Sequence, residues 1–133
     1  MTKESLRAYE NGLLVFSSAG KWLHPLFEFE DFLRTGGPDP AGLFLHDRIV
    51  GRGAAYLTVR LGIRRSHAGL LSERGREVFL RFGVTSTHDE LVERIDCMTE
   101  ELLAAVDDVE TAYAILAERR RAALEPAVRG AGR

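Results

Sequence analysis

Cysteine is nearly absent from this chain: Cys97 stands alone among 133 residues. A single thiol excludes an internal disulfide and cannot supply a multi-thiolate metal cage, so any metal would rest on histidine and carboxylate. No basic excess exists either, with 18 Lys and Arg against 20 Asp and Glu and a formal net charge of -2. That balance argues against duplex binding through phosphate neutralisation, and no nucleic-acid partner is expected. No apolar run approaches a bilayer span, and Met1-Thr2-Lys3-Glu4-Ser5 lacks the apolar stretch of a secretion signal. The expectation is a cytoplasmic protein with no membrane partner.

What is present suits one compact core. Hydrophobic residues make up 45% of the chain, ample for a single domain of this length. Residues 1–126 are expected to form it, with 127–133 as a disordered tail. Ser5 to Tyr9 and Leu13 to Ser18 are β-prone stretches joined by Glu10-Asn11-Gly12, whose Asn-Gly pair suits the positive φ angles of a tight hairpin. Trp22, Leu26, Phe29 and Leu33 then recur at near-helical spacing, with Pro25 tolerable in the first turn. Thr35 to Pro40 is too rich in Gly and Pro to continue that helix.

Ala41 to Leu45 reads as a central strand, and roughly Gly51 to Leu61 as a helix with little bulk at its start. Ser66 to Leu70 reads as a strand, Ser72 as the cap of a helix stopping at Gly83, and Val84 to Thr87 as a further strand. From Asp89 onward the pattern is helical, with Asp96 and Asp107 or Asp108 as caps and Val109, Ala112, Tyr113 and Leu116 as one apolar stripe. This order predicts an α/β protein: a three-layer α/β/α sandwich on a mixed sheet that begins with a hairpin.

The most informative stretch is Asp47-Arg48-Ile49-Val50-Gly51-Arg52-Gly53-Ala54-Ala55. A β-prone run meets two glycines and an arginine where a small-residue helix begins. Helix starts leave N–H groups unpaired at a positive dipole end, glycines let a phosphate come close, and Arg grips it bidentately. Asp47, Arg48, Gly51, Arg52 and Gly53 are therefore the candidate phosphate-binding residues, with Asp47 able to orient Arg52 or accept a ribose hydroxyl. A structural reading stands beside this one: the glycines permit a strand-to-helix turn and close packing, with the arginines solvated or paired to Asp47.

The same nine residues resemble the Asp-Lys-Val-Val-Gly-Lys-Ala-Ala-Ala signature of a small prokaryotic domain-of-unknown-function family with a cytidine-deaminase-like fold. Ser5-Leu6, Val15-Phe16-Ser17-Ser18, the helix holding Pro25-Leu26, and Cys97-Met98-Thr99-Glu100 against the family's Cys-Pro-Met-Glu extend the likeness over residues 5 to 118. The resemblance implies a deaminase-like scaffold lacking the zinc motifs, so no metal and no cofactor are expected. The residues agree: a zinc deaminase needs His-x-Glu with Pro-Cys-x-x-Cys, and although His88-Asp89-Glu90 fits the first part, Cys97 has no partner cysteine. Arg52 replaces the signature's lysine, which removes a tunable amine but keeps phosphate binding.

Three functions remain open. The chain is read first as a non-zinc nucleotide or phosphate-ligand binding module, with a nucleotide or other phosphate-bearing small molecule as partner. The second reading is an enzyme acting on a nucleotide-like substrate through Cys97 or Asp47, with Glu100 one turn beyond Cys97 as an orienting group. A buried Cys97 and a capping Glu100 explain the same residues structurally. The third is a homodimer built on the aromatic first helix or the Val109 to Leu116 stripe.

Overall fold

The fold opens on a hairpin set by its turn. β1 (Leu6–Glu10) and β2 (Leu13–Ser18) pair antiparallel, and the turn between them holds Asn11 at φ 52° and Gly12 at φ 82°, as the Asn-Gly pair predicts. The protein is described by a computed structural model over residues 4–95 and 98–131.

The elements then alternate. α1 (His24–Arg34) leads to β3 (Leu43–Val50), α2 (Arg52–Arg60), β4 (Arg65–Ser72), α3 (Glu73–Phe82) and β5 (Thr85–Val92), followed by α4 (Met98–Leu102) and α5 (Val109–Ala131). The sheet order is β2-β1-β3-β4-β5, antiparallel through β1 and parallel from β3 to β5. Caps fall where side chains dictate. The Ser72 hydroxyl accepts from the Gly75 amide at 3.0 Å, Gly83 ends α3 at φ 75°, and Asp108 accepts from the Thr111 amide at 2.7 Å.

The α/β class, the mixed sheet and the opening hairpin are as the sequence predicts. Two features differ. β5 continues through His88, Asp89 and Glu90 to Val92, where a helical pattern was expected, because an edge strand exposed on both faces needs no apolar alternation. The expected second helical layer is also missing from the described residues. α2 packs against α1, α3, α4 and α5, so the described helices share one face. The physical reason is handedness: successive right-handed crossovers advancing in one direction across a sheet put their helices on the same side.

The core lies between that face and the helices. Leu6, Ala8, Leu43, Leu45 and Ala68 point into it from the strands and meet Leu26, Phe29, Ala55, Val78 and Phe79. Burying one such side chain contributes about 1.5–3 kcal/mol. A second, polar joint ties the helices together. Glu30 of α1 pairs with Arg60 of α2 at 2.5 Å and accepts from the Tyr113 hydroxyl of α5 at 3.2 Å, while the Arg60 guanidinium lies 3.4 Å from the Tyr113 ring centroid.

Candidate functional site

The start of α2 is occupied from within the protein. Gly51 is its N-cap, without a capping side chain of its own, so the first amides need acceptors from elsewhere. Glu100 of α4 supplies one: its Oε1 accepts from the Arg52 backbone N–H at 3.3 Å. A carboxylate at a helix start is favoured by the dipole as a phosphate would be. Glu100 is only 1% exposed, and its second oxygen, Oε2, has no hydrogen-bond partner among the described residues.

The Arg52 side chain turns away from this point. Its Nε donates to the Leu103 carbonyl at 2.8 Å and its Nη2 to the Val106 carbonyl at 2.5 Å, beside the Tyr56 hydroxyl, which donates to Val106 at 2.8 Å. Arg52 thus fastens the loop between α4 and α5. Where the sequence reading places a phosphate against Gly51, Arg52 and Gly53, a carboxylate oxygen meets the Arg52 amide, and the guanidinium points to the loop between α4 and α5.

The two glycines make that filling possible. A Cβ on Gly51 would stand 2.7 Å from Glu100 Oε1, and one on Gly53 would stand 2.6 Å from Thr99 Cγ2 and 3.3 Å from Leu23 Cδ1. Both positions are glycine because α4 lies against the start of α2.

Asp47 and Arg48 part company by the period of a strand, since successive side chains leave opposite faces. Asp47 is buried on the helix side, and loss of water pushes its carboxyl up to about 7 against the pull of the Ile49 and Arg48 amides. The exposed Arg48 donates to the Glu4 carbonyl at 3.3 Å. The side chains of Asp47 and Arg48 thus leave opposite faces of β3, although both residues border one cleft.

What the fold does assemble is a pair of adjoining clefts beside the C-terminal end of β3, where open α/β sheets hold their ligands. One, about 200 Å³, is lined by Trp22, Leu23, Ile49, Ala54, Ile95, Thr99 and Glu100, with Gly51 and Gly53 at its base. The other, about 230 Å³, is lined by Ser5, Lys21, Asp47 and Arg48 and shares Trp22, Leu23 and Ile49. Trp22 stands at φ 55°, a strained backbone for a bulky residue. Its indole N–H donates to Thr99 Oγ1 at 3.0 Å, and the side chain stays partly exposed.

Sequence reasoning counted Trp22 with the first helix, which begins at His24, and missed it as a cleft wall. It also missed Tyr56 and the Glu30–Arg60–Tyr113 joint, whose partners lie on separate helices. The unusual feature of Trp22 is a backbone angle, which composition does not display. Cys97, the enzymatic candidate, lies outside the described residues. His88-Asp89-Glu90 sits along exposed β5, and among the described residues no group of three His, Cys, Asp or Glu is arranged to hold a metal. No helix among them is long and apolar enough to cross a membrane.

The comparisons with known proteins agree with the architecture. A family model described as a domain of unknown function (DUF1893) matches residues 26–119. A solved DUF1893 family protein from Thermotoga maritima superposes with a TM-score of 0.78 at 23% identity, over 88% of this chain and 81% of that one. At that identity the likeness concerns the fold alone. No curated protein matches the chain.

Proposed function

We propose that this chain, which belongs to the DUF1893 family of domains of unknown function, is a non-zinc binding module for a nucleoside or nucleotide held by its base. The reading reverses the orientation suggested by the sequence: the base goes to Glu100, and no phosphate goes to the start of α2.

The observation that carries it is Glu100 Oε2, a buried carboxyl oxygen in the wall of a cleft that has no partner among the described residues. An unsatisfied buried acceptor costs about 1–3 kcal/mol, and a ligand N–H restores the missing interaction. Trp22, Leu23, Ile49, Ala54 and Ile95 make the remaining walls largely apolar, which suits a flat ring carrying donors at its edge. At about 200 Å³ the cleft matches a base rather than a whole nucleotide. The adjoining cleft offers Ser5 and Asp47 to sugar hydroxyls and Lys21 to a phosphate.

A melting screen tests the reading, because a ligand that binds only the folded state raises the transition temperature. Free nucleosides, their monophosphates and inorganic phosphate are compared at matched ionic strength. At least one nucleoside stabilises the protein, and inorganic phosphate alone does not. Stabilisation by phosphate alone, or by none of the nucleosides, overturns it.

A further inference from the structure

The helix-free face of the sheet has a chemistry of its own. Register puts Tyr9, Phe44, Arg65 and Thr85 in one row, and Arg7, His46, His67 and Thr87 in the next. Partners across a ladder point to the same side, opposite to the buried Leu6, Ala8, Leu45 and Ala68. Arg48 leaves β3 on this side too. The face thus carries Arg7, Arg48 and Arg65 with two histidines, and Asp89 is its one acidic residue among those described. The chain-wide charge of -2 conceals this asymmetry.

These groups crowd one another. Arg7 Nη2 stands 3.3 Å from His46 Nδ1, the His46 and His67 ring centroids are 4.9 Å apart, and His67 Nε2 lies 3.1 Å from Asp89. Burial, Arg7 and His67 hold the His46 imidazole below its ordinary range. Gathering donors of positive character on one surface is unfavourable in isolation and becomes favourable under a polyanion. Beside them, the half-buried rings of Tyr9 and Phe44 lie 6.4 Å apart, and Leu14 is 53% exposed next to Tyr9 in the hairpin.

We infer that this open sheet face binds single-stranded nucleic acid, with Arg7, Arg48 and Arg65 contacting phosphates and Tyr9 and Phe44 receiving bases. Sheets that present aromatic rings among basic residues suit unpaired bases, which can lie flat on the rings. A duplex keeps its bases stacked and offers this face phosphates alone. The site shares Arg48 with the cleft that adjoins the Glu100 cleft and does not depend on Glu100.

Fluorescence anisotropy of labelled oligonucleotides tests the inference, using single strands of roughly 12 nucleotides, a length within the range one small domain occupies, and a duplex of the same sequence. Single-stranded RNA and DNA bind alike, and the duplex binds at least ten-fold more weakly. Three phosphate contacts give a slope of log affinity against log salt of about -2. Arg65→Ala and Tyr9→Leu, chosen because the first is exposed and the second keeps an apolar side chain, each weaken binding five-fold or more without changing the melting temperature. Glu100→Gln leaves it unchanged. Absence of binding at low salt, equal binding of the duplex, or indifference to both face variants overturns the inference. So does a dimer, seen by sedimentation, that Arg65→Glu dissociates, because a second copy is then the occupant of this face.

Discussion

Glu100 Oε1 accepts a hydrogen bond from the backbone N–H of Arg52, 48 residues earlier in the chain, at 3.3 Å. The contact places a carboxylate at the first turn of α2 and releases the Arg52 guanidinium to hold the Leu103 and Val106 carbonyls. Charge that a ligand would bring to a bare helix start is already part of the fold. In the proposed function the recognition chemistry therefore falls to the remaining oxygen of Glu100 instead of the helix amides.

Arg52→Ala is expected to act on stability. Two charge-assisted hydrogen bonds are lost while the Leu103 carbonyl keeps the Val106 amide and the Val106 carbonyl keeps the Tyr56 hydroxyl, so the cost is that of the bonds themselves, about 2–4 kcal/mol. Arg52→Lys recovers little, since an ammonium does not reproduce the guanidinium fork. Urea unfolding measures both. A phosphate titration of the wild-type protein that raises stability, and fails to do so in Arg52→Ala, would restore the anion socket.

Gly53→Ala tests the close approach of α4 and α2. The added methyl group would stand 2.6 Å from Thr99 Cγ2, and overpacking of this kind costs about 1–3 kcal/mol. Adding Thr99→Ser removes the obstructing methyl while keeping the hydroxyl that accepts from Trp22, so the double variant regains most of the stability. Equal melting temperatures for Gly53→Ala and wild type would contradict the packing described.

Asp47 predicts a pH dependence. Its folded pKa, pushed up to about 7 by burial, lies above the unfolded value of about 4. The folded state holds the proton more tightly, so Asp47 favours folding most below pH ~4, and that contribution is lost as pH rises through ~7. Asp47→Asn has no such loss. The variant should exceed wild type in unfolding free energy by roughly 2–4 kcal/mol at pH 8, and the gap should close toward pH 4. Urea titrations at both pH values check this, and a gap that widens on acidification would contradict it.

Glu30 and Arg60 are expected to be coupled. Glu30 is 9% exposed and Arg60 lies over the Tyr113 ring, so this pair exceeds the small value of a solvent-exposed ion pair. A double-mutant cycle with Glu30→Gln and Arg60→Met should return a coupling of about 1–3 kcal/mol. A value near zero would make α1, α2 and α5 independent at this joint.

Local chemistry made much of the fold legible. Asn11-Gly12, Ser72, Gly83 and Asp108 each mark a turn or cap through their own backbone or side chain, and each stands where the sequence places it. β5 was read too short because His88, Asp89 and Glu90 carry no apolar signal on an exposed edge. The site was less legible for a different reason. Gly51 and Gly53 look alike whether a phosphate or a carboxylate approaches them, and the carboxylate that does so comes from a distant helix. Glu100 was singled out for its place after Cys97, whereas its role follows from a contact that no local spacing reveals.

The most direct test of the central claim is an amide and indole NMR titration of the protein with nucleosides and, separately, with inorganic phosphate. A binding nucleoside should shift the Trp22 indole N–H and the amides around Ile49 and Thr99, with the response reduced at least ten-fold in affinity by Glu100→Gln. Phosphate should leave the Arg52 and Gly53 amides in place. Phosphate-driven shifts at Arg52 and Gly53, with Trp22 unmoved by every nucleoside, would contradict the account.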